Sequence, residues 1–185
     1  MNAALQDLID LILESSRQQW LLRAAVLLSP IVAVLATAGA DAGSADPGVV
    51  IFVAVMALAA TAIPDSQLPT VVIAVVAWQW LALIDSVGSV WLPVAVICLV
   101  VHHTAAALLA TIPTGGGVPG AVVQRWAGRV AACGGLVVFT WIVAAALERR
   151  EADGNALLTG AALAAAGGLA ALIRSRSLGR SPNAG

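Results

Sequence analysis

His102 and His103 are the only histidines in the chain, and both sit inside its longest uninterrupted apolar run, residues 90–112. At 1.5 Å per residue they lie about 18–20 Å into that run, near the middle of a bilayer core of roughly 30 Å. Titratable side chains at that depth are costly, and they mark proton relays, substrate sites or metal ligands. Gln79 is the second polar residue in an apolar stretch, flanked by Trp78 and Trp80. Counted from residue 70 it lies about 14 Å deep by the same rise. Sequence-adjacent antiparallel spans commonly pack together, so a hydrogen bond from Gln79 to His102 or His103 is geometrically reasonable. Three readings of this intramembrane polar site stay open. Gln79 and a neutral histidine hold two helices together, the group carries protons or a substrate, or a metal or haem sits on a histidine. Adjacent histidines point about 100° apart on a helix and do not readily share one ion. Cys98 and His102 are spaced i, i+4, but one such pair is a weak metal signal. No acidic residue lies deep in an apolar run, and no H-E-x-x-H, G-x-S-x-G or P-loop pattern occurs. The expectation is therefore no catalytic residue, no metal and no cofactor, hence no enzyme.

Composition dictates the solvent for the elements that position these side chains. Of 185 residues, 61% are hydrophobic and only 10% are charged; mean hydropathy is +0.97 and net charge −1. A soluble domain carries about 25% charged residues, so this chain cannot cover a water-facing surface. An ordinary globular domain, a disordered tail and a nucleic-acid-binding module are excluded. All nine basic residues are Arg, a bias found in GC-rich bacterial genomes. Cys98 and Cys133 fall in apolar stretches, where a thiol acts as a small hydrophobe rather than a disulfide partner.

The expected fold is an all-α membrane protein: about six transmembrane helices in one bundle, preceded by a short amphipathic N-terminal helix. That first helix covers residues 1–18, with Leu5, Leu8, Ile9 and Ile12 on one face. Its acidic residues favour packing on protein over lying on lipid. The bundle occupies 19–173, with spans at 20–40, 49–63, 70–84, 90–112, 130–147 and 155–173; a basic tail, 174–185, follows. Pro30 in the first span predicts a kink. A rival reading makes residues 1–40 a signal peptide cleaved after Ala38-Gly39-Ala40. The runs 49–63 and 70–84 are short of a full span. They read as a hairpin turning at Pro64 and Pro69, with a re-entrant pair as the alternative.

Arg placement orients the bundle. With six spans, Arg17, Arg23, Arg125, Arg129, Arg174, Arg176 and Arg180 fall on one side and Arg149 and Arg150 on the other. The expected location is the cell membrane, multi-pass, with both termini cytoplasmic. Residues 113–129 read as a Gly- and Pro-rich loop ending in a basic segment. Its Arg125 and Arg129, spaced i, i+4, are candidate contacts for anionic lipid or a docking partner. Gly160, Ala164 and Gly168 form a small-residue stripe for helix packing in the last span, with a matching groove at Ala131 and Gly135. Partners are thus the lipid bilayer and a protein at the N-terminal helix or the 113–129 loop, with no nucleic acid.

Several of these patterns lie within residues 65–142: Trp78-Gln79-Trp80 with Asp85 after it, a histidine in the fourth span followed by Pro113, and Gln124-Arg125-Trp126 before the fifth. In them the chain resembles small actinobacterial multi-pass membrane proteins, often encoded beside a MoxR-type AAA+ ATPase and a DUF58 protein. The resemblance implies an accessory role in an envelope-associated assembly and brings no catalytic residues. His103 and the triple glycine 115–117 have no counterpart in it. The leading expectation is a non-enzymatic membrane component. The second is a small transporter or proton-coupled carrier built on Gln79, His102 and His103.

Overall fold

The structure, a computed structural model, describes residues 16–41, 43, 45–113 and 116–148. These fold into five helices: α1 (Arg17–Ala40), α2 (Pro47–Ala62), α3 (Leu68–Leu83), α4 (Trp91–Ala110) and α5 (Gly120–Glu148). The expected sixth span, residues 155–173, lies outside the described residues, as does the expected N-terminal helix up to residue 15. Among the described residues the count is five helices, not six. The boundary expected at residues 18–19 moves to Ser16, which is extended and caps α1.

The helix starts follow from local chemistry. Ser16 accepts from the Gln19 N–H while Gln19 accepts from the Ser16 N–H, a reciprocal capping box. Asp46 caps α2 through the Gly48 N–H at 2.7 Å, with Pro47 in the first turn, where its missing N–H costs nothing. Pro69 is the second residue of α3 and Pro93 the third of α4, both within the first turn. Residues 120–129, expected as loop, are the first turns of α5. Val122, Val123, Trp126, Ala127 and Val130 recur at helical spacing, and Pro119 accepts the first backbone hydrogen bonds of the helix.

Three helices, α1, α4 and α5, are long and apolar enough to cross a membrane. The 16-residue α2 and α3 extend only about 24 Å each, short of the hydrocarbon core. The α1 helix is the hub, packing on α2, α3 and α4, while α5 packs on α4. One core cluster joins Ala33, Val34 and Ala36 of α1 to Val53, Val72, Val76 and Ala95. A second joins Val26 to Ala60, Ala105 and Ala106. Small residues at these contacts let backbones approach closely.

Consecutive helices run antiparallel, and the ends differ in charge. One end holds Arg17, Arg23, Arg125 and Arg129 with Asp65; the other holds Asp41, Asp46, Asp85 and Glu148. The first is called the Arg end below, the second the acid end. The α2–α3 turn is recessed from the Arg end. It lines a small cavity, about 160 Å³, with Gln19, Arg23 and Ala110, at a level about 5–10 Å along α1 from Ser16.

Ala33 is fully buried at the contact between α1 and the hairpin, so Ala33→Leu overpacks it. The expected loss is about 1–3 kcal/mol, read from thermal or denaturant unfolding of the detergent-solubilised chain. Leu35→Ala, on an exposed flank of the same helix, should stay within about 0.5 kcal/mol of the parent.

Candidate functional site

The middle of α1 lacks a hydrogen bond. Pro30 has no N–H, so the Val26 carbonyl, four residues earlier, loses its ordinary helical partner. Val26 is fully buried, and an unpaired carbonyl there costs free energy comparable to a lost hydrogen bond. His102 of α4 fills the gap, with its Nδ1 2.8 Å from the Val26 oxygen. A carbonyl only accepts, so Nδ1 carries the proton and donates. The His102 side chain is completely buried beside the Pro69 backbone of α3 as well as Val26, and its Nε2 makes no hydrogen bond of good geometry among the described residues. Next to the proline, the Ser29 hydroxyl donates to the Ala25 carbonyl at 2.5 Å. Thr37, two turns further on, bonds Ala33 in the same way at 3.1 Å.

The structure does not join Gln79 to the histidines. Gln79 is half-buried on α3, and its Oε1 has no hydrogen-bond partner among the described residues. The His102–Gln79 bond expected from span counting is not made, and the recessed hairpin explains why. Leu68, at the start of α3, packs against the cluster of Val26 and Ala105 near His102. Gln79, eleven residues further along, lies about 16 Å nearer the acid end. Counting depth from residue 70 placed α3 too far toward the Arg end. His103, one position round the helix from His102, is exposed. Trp80 is buried in the core, whereas Trp78 points outward. Cys98 packs beside the first core cluster as a free thiol.

A second polar constellation, not anticipated from sequence, closes the Arg end. Gln19 is buried, and its Nε2 donates to the Pro113 carbonyl at 2.8 Å. Gln18 Oε1 accepts from the Val118 N–H at 2.7 Å, and the Ser16 hydroxyl donates to the Gly116 carbonyl at 3.4 Å. The start of α1 is thereby bound to the segment after α4. The Ser16-x-x-Gln19 pattern was its readable signal. At the acid end, Gly39 lies against the Trp91 ring; a Cβ added to Gly39 would come within 2.8 Å of it.

Arg125 and Arg129 are exposed on the first turns of α5, with the Arg129 guanidinium 5.6 Å over the Trp126 ring. Arg23 stands 5.7 Å over the Trp20 ring. Gly160, Ala164 and Gly168 lie outside the described residues. No group of three or more His, Cys, Asp or Glu side chains suited to a metal gathers among the described residues. What the buried site does is mechanical: one imidazole repairs a proline defect in the neighbouring helix. The chain matches no protein-family model, no curated protein and no solved structure.

His102→Leu keeps bulk but removes the donor, leaving the Val26 carbonyl unpaired. The expected loss is about 1–3 kcal/mol of unfolding free energy in detergent. His103→Leu, at an exposed position, should lie within about 0.5 kcal/mol of the parent. Equal effects of the two substitutions would show that the Val26 bond carries no stability.

Proposed function

We propose that the chain is a non-enzymatic, multi-pass component of the cell membrane, and a partner subunit of an envelope-associated assembly. The observation that carries this reading is the engagement of His102 Nδ1 by the Val26 carbonyl: the deepest titratable side chain among the described residues holds helices together. The envelope assembly itself comes from the likeness to the actinobacterial proteins encoded beside a MoxR-type ATPase. In this reading the Arg end is cytoplasmic, as the positive-inside rule requires, and residues 155–173 form a sixth span that returns the C-terminus to the same side. Docking uses the cytoplasmic surface formed by the N-terminal segment and the start of α5. Residues 1–40 are retained as part of the bundle rather than cleaved.

A carrier is the second reading. Two buried polar atoms, His102 Nε2 and Gln79 Oε1, make no hydrogen bond of good geometry among the described residues. Such atoms in an apolar interior are places where a transported proton or polar solute would bind.

Two measurements separate these readings. Affinity purification of the tagged full chain from crosslinked native membranes should return a stoichiometric protein partner. Charge reversal at Arg125 and Arg129 should reduce its recovery severalfold. Recovery of the chain alone would contradict the subunit reading. In proteoliposomes, His102→Asn with Gln79→Leu should leave pH-driven flux at the background of empty vesicles, as for the parent. A parental flux that the double substitution abolishes would establish the carrier instead.

A further inference from the structure

The α5 helix is the least covered of the five. It packs on α4, where Ile97 lies beside Gly134, and it buries only Ala145. A second face of it, Gly135, Phe139 and Ile142 with Ala132 and Ala146 at its ends, repeats every three or four residues and is exposed throughout. This face is turned away from α4: a Cβ added to Gly135 would meet nothing within 4 Å. No charged side chain interrupts it.

The chain that follows α5 restricts what can lie there. The helix ends at Glu148, at the acid end. Residues 149–154 carry Arg149, Arg150, Glu151 and Asp153, whereas residues 155–173, outside the described residues, carry no charge. Fully extended, the connection from Glu148 to Asn155 reaches about 25 Å, less than a hydrocarbon core of roughly 30 Å. As a span, the apolar segment therefore begins at the acid end, within reach of α5, and returns toward the Arg end. A short connection of this kind makes antiparallel neighbours.

The connection also sets a register. With Asn155 level with Glu148, each step back along α5 is matched by one step forward along the segment. Ile142 then faces Ala161, Phe139 faces Ala164 and Gly135 faces Gly168. Each large side chain meets a methyl group, and two glycines let the backbones approach closely. Leu158, Leu163 and Leu169 fall on the other faces of the segment, where lipid suits them.

We propose that residues 155–173 dock as a helix on this face of α5, antiparallel to it, with Gly168 against Gly135. The proposal rests on the sixth-span reading above and deepens it by giving that span its partner and register.

The test oxidises native membranes that hold the full chain with Cys98 and Cys133 replaced by alanine and one new cysteine pair added. Phe139→Cys with Ala164→Cys, and Ile142→Cys with Ala161→Cys, should each form an intramolecular disulfide in most molecules. Trypsin cuts the connection at Arg149 and Arg150, and the two fragments should stay joined until reduced. Phe139→Cys with Ala162→Cys, whose second cysteine sits about 160° round the segment from Ala164, should yield about tenfold less. A disulfide missing from either pair, or equally abundant in the control, leaves the face to lipid and would overturn the docking. A disulfide that joins two chains would overturn it too, by giving the face to a second copy. Sidedness is read separately, with an impermeant maleimide on Gln124→Cys at the start of α5 and on Ser181→Cys in the tail. Labelling of both from one side without a disulfide refutes only the docking; labelling from opposite sides refutes the sixth span with it.

Discussion

Pro30 cannot donate a hydrogen bond, so the Val26 carbonyl must be satisfied from outside its own helix. In water the solvent would do this. In a hydrocarbon interior it cannot, and the donor has to come from protein. His102 supplies it at 2.8 Å, and the depth of α4 against α1 follows. The rotamer of a fully buried imidazole is fixed with it, and so is the position of the cluster formed by Val26, Ala60 and Ala105. The α1–α4 pair is then held at three levels: Gln19 on Pro113 near the Arg end, His102 on Val26 in the middle, and Trp91 on Gly39 at the acid end. The hub of the bundle is this pair.

Around that pair the remaining elements differ in how firmly they are held. The α2–α3 hairpin buries Val53, Ala57, Ala60, Val72 and Val76 against the hub, and small side chains set its spacing. Being short, it stops beside Arg23 and leaves a recess lined by Gln19, Thr61 and Asp65. The α5 helix is the reverse case, at 29 residues longer than a bilayer needs and buried only at Ala145. Its outer surface carries Phe139 and Ile142, side chains that belong against lipid or another apolar helix. Its first turns bring Trp126 and Val130 to the side of α1 and α4.

Sequence and structure agree where one physical signal dominates. Long apolar runs in a chain with few charges read directly as helices, and Pro30 within the first run was legible as a defect. His102 was legible as a costly side chain, because depth in an apolar run is a count of residues. Its partner was not. The Val26 carbonyl is a backbone atom made available by a proline seventy-two positions away, and no side-chain pattern announces it. Gln79 was misplaced because its depth was counted as though α3 began level with the other helices; packing of Leu68 near Val26 decides otherwise. The start of α5 was hidden by Gly120 and Gly128, residues that usually interrupt helices. The Val122, Val123, Trp126 and Val130 face outweighed them. Gln18 and Gln19 passed unnoticed because their partners are backbone groups of the segment after α4.

A double-mutant cycle between Pro30 and His102 tests the central claim most directly. Pro30→Ala restores an N–H within reach of the Val26 carbonyl. His102→Ala in the parent should cost about 1–3 kcal/mol of unfolding free energy, and in the Pro30→Ala background at least about 1 kcal/mol less, because the carbonyl is then satisfied by its own helix. Costs that simply add, within about 0.5 kcal/mol, would contradict the account and show that His102 is held for some reason other than the proline defect.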